Sequence, residues 1–397
     1  MKIALVAPLD PKTGISNYTE TLAIELLKQG NEVDIVSPEN SENIQLTQMD
    51  GMNHSLPENY RVSDHDVTHF QLANSPLHEF QLHILHDHKS DLLKNPNIIT
   101  TVHDARNFDA FNFKCTKCMA FGLKLPESKL IYPYDMVDRG FQRISNLLLL
   151  HSGSAITEYK TRYNLEESRF KKVLHPAYRI PGRETSLKKK SSENKILVAP
   201  GYISPYKGQD IIIMAAATLK MDFKLIFMGK ILNSEYGNYL KALVKENQLE
   251  NKVQFSGFVP EDEFIRTIDS AEAVLVPRLT SPWLMNKSTY KFRKLIGLDI
   301  LINQSTSGVL TKALASAKPV ICSENQGFGD YINEDTGIMC SNTVESWASA
   351  IKYILETPDK VMEMSVKSRQ FAGDVLSPKK IAEEHLKIYS RNIKEKG

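Results

Sequence analysis

The chain has 397 residues, with 49 Lys and Arg against 47 Asp and Glu and a formal net charge of +2. That near-balance argues against a dedicated nucleic-acid binder, which carries a basic excess, and 42% hydrophobic residues exclude a mainly disordered chain. At roughly 150 residues per domain the length predicts two or three domains. Four cysteines are too few to be a disulfide framework in a chain this long, which points to a reducing compartment.

The N-terminal run Met1 to Pro8 is short, and Asp10, Pro11 and Lys12 follow it. It reads as a buried first strand rather than a leader peptide. No stretch approaches the roughly 18 apolar residues of a membrane span, so a cytoplasmic protein is expected. Ile3–Ala7 is read as a strand and Asn17–Gln29 as a helix ended by a glycine at Gly30. Glu32–Ser37, Val67–Leu72, Ile98–Val102 and Asn146–His151 continue the strand series. Such continuous apolar runs suit a parallel sheet covered on both faces.

The segment from Pro181 to Lys195 reads PGRETSLKKKSSENK. It is polar, basic and without periodicity, and is read as a linker. The alternation then restarts. Strands are expected at Ile196–Ala199, Lys224–Met228, Val253–Ser256, Ala273–Val276 and Pro319–Ser323. Helices are expected at Gln209–Lys220, Tyr236–Asn247, Glu261–Asp269 and Ile381–Asn392. Two runs of βα alternation predict an α/β fold of two doubly wound domains. Ligands of such sheets sit at the C-terminal ends of the strands, and the gap between two such domains is the expected site.

Three loops carry candidate chemistry. In PLDPKTGISNY, Gly14 permits close backbone approach and Ser16 or Asn17 can cap the following helix, whose N-terminus favours an anion. An ordinary strand-to-helix turn reads the same way. In Pro200 to Gly208 (PGYISPYKG), Lys207 is placed as a point charge for a phosphate. The third, Asn303 to Leu310 (NQSTSGVL), sets small and hydroxylated residues before a helix; they can receive an anion or simply cap the helix.

Taken together and in this order, these segments resemble the GT-B retaining glycosyltransferases, in particular glycosyltransferase family 4. The likeness spans nearly the whole chain. It rests on the PxxxxTGISNYT opening, Thr101-Val102-His103-Asp104, Ser152 through Pro176, the GYISPYKG loop, Phe255 to Pro260 (FSGFVP), and Ala315 to Ile321 (ASAKPVI). The resemblance implies a GT-B fold, with two Rossmann-like domains facing each other across a cleft. Residues 1–180 would bind the acceptor, 181–195 would link, 196–376 would bind the nucleotide sugar, and a helix in 377–397 would cross back. It implies donor contacts at Gly14, Ile15, Gly201, Tyr202, Lys207, Gln304, Ser305, Thr306, Ser307, Gly308 and Lys312. Acceptor-side contacts would fall at Asp104, Ser16 and Asn17, and His103 and Lys207 would take part in catalysis.

The chain also departs from that pattern. Tyr202 stands where the family often has Arg. Gln304 and Lys312 stand where the family has two glutamates that grip the sugar and the ribose. A branch of the family with a Ser/Thr-Ser-Gly segment is the better match. Gln304 still offers donor and acceptor atoms to sugar hydroxyls, and Lys312 is long enough to reach a phosphate.

The expected reaction is retaining transfer of a hexose from a nucleotide-diphosphate sugar, such as a UDP- or GDP-hexose, to a glycan or lipid-linked acceptor in cell-surface polysaccharide or glycoconjugate synthesis. No cofactor, metal or nucleic acid is expected. The alternative is a catalytically silent GT-B protein that binds nucleotide sugar or glycan as a scaffold. Cys115 and Cys118 form a lone CxxC, half of what a structural zinc site needs. His83, His86 and His88 have the spacing to share a metal, although the fold needs none. Residues 281–300 mix Trp283, Tyr290 and Phe292 with Lys287, Lys291 and Arg293. They suit either peripheral contact with a membrane face or packing over the cleft.

Overall fold

The computed structural model describes residues 1–9, 14–38, 50–73, 79–103, 136–177, 195–278, 282–288, 291, 306–324 and 326–394. The chain forms two compact units. One consists chiefly of Met1–Pro176 and Pro378–Gly397, the other of Ala177–Ile302 and Ser307–Ser377.

The first unit begins with β1 (Lys2–Val6), α1 (Gly14–Lys28), β2 (Glu32–Val36), β3 (Met52–Ser55) and β4 (Val67–Leu72). It continues with α2 (Glu79–Asp87), α3 (Lys89–Lys94), β5 (Ile98–Val102), α4 (Met136–Ile144), β6 (Leu147–Leu150), α5 (Gly153–Tyr163) and β7 (Phe170–Lys172). Its seven-stranded sheet has the order β3-β2-β1-β4-β5-β6-β7, with every neighbouring pair parallel. Side chains alternate across a strand, so β1 feeds two cores. Ile3 and Leu5 pack with α1, whereas Ala4 and Val6 pack with Phe70, Phe80 and Phe141 on the other face. Helix α1 ends at Gly30, whose φ of +77° favours glycine and whose N–H donates to Leu27 O at 2.9 Å.

The second unit runs β8 (Ile196–Pro200), α6 (Gln209–Ala217), β9 (Lys224–Met228), α7 (Ser234–Glu246), β10 (Val253–Gly257), α8 (Glu261–Ser270) and β11 (Ala273–Val276). It continues with α9 (Pro282–Met285), α10 (Gly308–Ala315), β12 (Val320–Ser323), β13 (Gly337–Cys340), α11 (Val344–Glu356) and α12 (Pro358–Asp374). Its six-stranded parallel sheet has the order β10-β9-β8-β11-β12-β13. A final helix, α13 (Pro378–Lys394), returns to the first unit, where Ile381, Ala382 and Tyr389 share a core with Tyr18, Leu22 and Leu26 of α1.

Both sheets carry the doubly wound order, reversing direction between β1 and β4 and again between β8 and β11. Val67–Leu72, Ile98–Val102, Lys224–Met228 and Ala273–Val276 are strands with the expected bounds. Three strands were not expected: β3 (MNHS), β7 (FKK) and β13 (GIMC). All three lie at sheet edges. An edge strand has a neighbour on one side only, so it needs no long apolar run and leaves little hydrophobic pattern to read. The linker expected at 181–195 lies outside the described residues except for Lys195, whose ammonium donates to Leu355 O.

The largest fully buried side chain is Trp347 of α11, in the core of the second unit with Ile212, Leu225 and Ile351. Trp347→Ala should destabilise that unit by about 3–5 kcal/mol, measured as a lower midpoint in urea at unchanged slope.

Candidate functional site

At the second sheet, β8 ends in Gly201 at φ +111°, and the Gly201 N–H donates to Met228 O at 2.8 Å. A Cβ placed on Gly229, just past β9, would lie 2.1 Å from Gly201 O. The two loops lie against each other only because Gly229 has no side chain. They stay in register beyond that point, with Ile203 N donating to Lys230 O (3.0 Å) and Leu232 N to Ile203 O (3.0 Å). The turn at Lys207 closes through Lys207 N to Ser204 O at 2.9 Å, and Gly208, at φ +62°, begins α6.

Helix α10 starts beside this loop. A Cβ on Gly201 would sit 3.9 Å from Cγ2 of Val309, in the helix's first turn. The expected Gly201–Gly208 and Ser307–Gly308 segments are therefore brought together. Ser307 occupies the N-cap position with extended backbone (φ −132°, ψ 122°), yet its side chain makes no capping hydrogen bond. Thr306 and Ser307 are buried at 8% and 7% exposure, while Tyr202 is 47% exposed.

Other expected positions turn out differently. Lys312 Nζ donates to Glu261 Oε1 at 2.7 Å and lies over the Phe264 ring at 5.1 Å. The ammonium expected to reach a phosphate is held toward α8 by a carboxylate. Ser16 and Asn17 were expected to cap α1, but the helix opens earlier, at Gly14. Both therefore lie inside its first turn, and Ser16 Oγ donates to Pro8 O at 2.8 Å, fixing the end of β1. Ile15 O accepts from Thr19 Oγ1 at 2.9 Å. A Cβ on Gly14 would meet no described atom within 4 Å. Asp104, Gln304 and Ser305 lie outside the described residues, as do Cys115 and Cys118.

His103 follows β5, and its N–H donates to Leu72 O at 2.9 Å, extending the β4–β5 ladder. Both ring nitrogens have protein partners. Nε2 lies 2.8 Å from Gln71 Oε1 and Nδ1 lies 3.0 Å from His151 Nε2. Around them stands a buried assembly that sequence reasoning did not find. The Tyr18 ring centroid lies 4.7 Å from that of His103, 5.3 Å from those of His151 and His175, and 6.3 Å from that of His385. Tyr18 OH contacts His385 Nε2 at 3.1 Å. His69 bridges Tyr389 OH and Thr101 Oγ1, both at 2.7 Å. Helix α13 supplies His385 and Tyr389 at i and i+4, on the face that packs on α1. The other histidines noted in the sequence separate from this group. His86 contacts Asp87 at 2.9 Å, and His88 meets the Tyr60 ring edge-on. Among the described residues, no three His, Cys, Asp or Glu side chains form a set able to hold a metal.

In the 281–300 segment, Trp283 packs against Tyr236 and Tyr239, with ring centroids at 5.4 and 6.3 Å. Lys287 lies over the Trp283 ring and donates to Glu235 Oε2 at 3.1 Å. These two side chains are engaged within the second unit. No described helix is long and apolar enough to cross a membrane.

Residues 183–371 match the family model described as Glycosyl transferases group 1. No curated protein matches the chain. Among solved structures, sucrose-phosphate synthase from Thermosynechococcus elongatus is similar in fold at 15% identity and TM-score 0.66, covering 98% of each chain. Anabaena HepE in complex with UDP-glucose is similar at 15% identity and TM-score 0.66, covering 98% of this chain and 100% of that one. A glycosyltransferase from Rickettsia africae is similar at 17% identity and TM-score 0.65, covering 99% and 98%. The chain has the GT-B fold, and the match to the group 1 model falls on residues 183–371.

Two predictions follow from this geometry. Gly229→Ala forces a methyl group into the Gly201 carbonyl, so it should destabilise the protein by about 2–4 kcal/mol and shift the Lys207 loop. Thermal unfolding reads the first effect and amide exchange of residues 201–208 the second. Burial holds His151 and His385 neutral, with pKa values lowered to about 4, and lowers His69 well below its ordinary range. The unfolded chain therefore binds more protons than the folded one between the ordinary value of 6.5 and about 4. Stability should be level above pH 6.5 and fall as the pH drops from there toward 4. Melting temperature against pH checks this, and replacing His385 with Asn should flatten the slope.

Proposed function

We propose that the chain is a retaining glycosyltransferase that moves a hexose from a nucleotide-diphosphate sugar to a glycan or lipid-linked acceptor. The observation that carries this reading is the meeting of the Gly201 loop with the first turn of α10, where Ser307 leaves the helix N-terminus uncapped by its side chain. Backbone N–H groups at such a turn favour an anion, and Lys207 brings a cation on the neighbouring loop. The group 1 domain match over residues 183–371 supports glycosyl transfer. That the solved HepE structures hold UDP and UDP-glucose supports a nucleotide sugar as the donor.

The chemistry needs little from the protein. As the nucleoside diphosphate leaves, negative charge grows on its phosphate. Lys207 and the N–H groups of Gly308 and Val309 are the groups assigned to stabilise it, and one well-placed donor contributes up to about 3–4 kcal/mol. Retention needs no protein nucleophile if the acceptor attacks from the side the leaving group vacates, and the acceptor proton then passes to the departing phosphate. Gly14 and His103 belong to the first unit's share of the site in this reading. A role in cell-surface polysaccharide or glycoconjugate synthesis and a cytoplasmic location, peripheral on the membrane's cytoplasmic face, complete the proposal.

A silent GT-B protein is the second reading, favoured by one feature. The second family glutamate position is Lys312, and that lysine is tied to Glu261. Incubation with a panel of nucleotide sugars, followed by mass spectrometry, separates the two. Transfer or slow donor hydrolysis is expected, whereas binding without turnover across the panel supports the silent reading. Lys207→Ala should lower turnover about 100-fold or more at unchanged melting temperature. Near-normal turnover in that variant removes Lys207 from the mechanism.

A further inference from the structure

Side chains link the ends of four neighbouring strands of the first sheet. Gln71 lies on β4, His103 follows β5, His151 follows β6 and Val173 follows β7. The contacts run Gln71 Oε1 to His103 Nε2 (2.8 Å), His103 Nδ1 to His151 Nε2 (3.0 Å), and His151 Nδ1 to Val173 O (2.8 Å). The far end is rigid, because Val173 N donates to Leu150 O at 3.0 Å. The near end is held as well. Gln81 Nε2 donates to both Val6 O (2.7 Å) and Gln71 O (2.9 Å).

The protons along these contacts can be assigned from the carbonyl end at Val173. A carbonyl oxygen only accepts, so His151 carries its proton on Nδ1. Its Nε2 then presents a lone pair, and His103 must donate from Nδ1. The only His103 nitrogen left to titrate is Nε2. With a proton there, His103 donates to Gln71 Oε1, the orientation found. Without it, the Gln71 amide must turn so that its NH₂ faces the lone pair. Gln71 Nε2 has no hydrogen-bond partner among the described residues. The amide therefore has no bond to break when it turns.

We propose that His151 is a positioning residue for His103: anchored on Val173 O, it fixes the His103 proton on Nδ1 and makes Nε2, facing Gln71, the nitrogen whose protonation sets the charge of the ring in the transferase site, the acceptor's own proton still passing to the departing phosphate. The proposal rests on the transferase reading, which puts His103 in that site. Burial keeps His151 neutral, with its pKa lowered to about 4, so it acts as an acceptor over the physiological range. The titratable groups facing the pair among the described residues are Tyr18 from α1, His175 after β7, His69 of β4, and His385 and Tyr389 of α13. His69 and His385 are likewise held neutral by burial, and burial raises the Tyr389 phenol, so these three place no charge beside His103 near pH 7.

The test uses the full chain labelled with ring-¹⁵N histidine. His103 should titrate with Nδ1 protonated throughout and Nε2 alone changing. A neutral His103 protonated on Nε2 and bare on Nδ1 overturns the proposal, and this measurement needs no variant to fold. In His151→Phe the Nδ1 proton loses its acceptor. The neutral ring should change tautomer, and the pH profile of kcat should shift. The kcat itself should fall about tenfold or more with little change in donor KM. His151→Gln, whose side-chain oxygen accepts from Nδ1, should restore both tautomer and profile. Transfer that survives His151→Phe with an unchanged profile defeats this proposal alone. The expected tautomer in a protein that turns over no nucleotide sugar defeats the transferase reading and, with it, the catalytic meaning of the pair.

Discussion

A parallel sheet buried on both faces leaves the chain few places to put polar groups. Strand interiors are mostly apolar under the crossover helices, and a polar side chain inside a strand, such as Thr68, His69 or Thr100, is matched by a buried partner. Backbone and side chains left to face a ligand collect at the C-terminal strand ends, where loops leave the sheet. Both units obey this constraint. In the second, the ends of β8 and β9 meet through Gly201 and Gly229, and α10 begins against them. In the first, the ends of β4, β5, β6 and β7 are joined by Gln71, His103, His151 and Val173.

The two units meet the constraint with different materials. The second uses backbone: glycine, tight turns and a helix start whose N-cap side chain does not close it. Such a surface receives a charged group of varied shape and asks only that the backbone approach closely. The first uses side chains of fixed geometry, in which each ring nitrogen is assigned by the one before it. That arrangement holds a single side chain in one orientation and one protonation pattern.

The C-terminal helix shows how far such an assembly reaches. Helix α13 follows the whole second unit in sequence, yet its His385 and Tyr389 complete the aromatic and imidazole cluster around Tyr18 and His69. The helix covers apolar surface of α1 and at the same time supplies partners to buried polar groups that would otherwise cost stability. Burial keeps His69, His151 and His385 neutral. These three then act as matched donors and acceptors rather than as charges.

Much of the fold was legible in the sequence. Apolar runs such as Ala273–Val276 and Lys224–Met228 mark interior strands because both of their faces must be dry, and Gly30 marks a helix end because its backbone is left-handed. The GYISPYKG loop and the Ser307-Gly308 turn were legible as candidate anion-binding segments because close backbone approach demands glycine and small residues. The edge strands β3, β7 and β13 were not, since one-sided pairing imposes no apolar pattern. Nor was the direction of Lys312, which depends on Glu261 arriving from another helix. The sequence set His83, His86 and His88 together by spacing. The structure instead joins His69 and His103 to His151, His175 and His385, whose ring neighbours are set by strand order and helix return. Local sequence fixes what a residue's own segment must bury. Which distant side chain shares its proton is decided only when the sheet is assembled, because a hydrogen bond needs two partners within about 3 Å and the sequence specifies each partner separately.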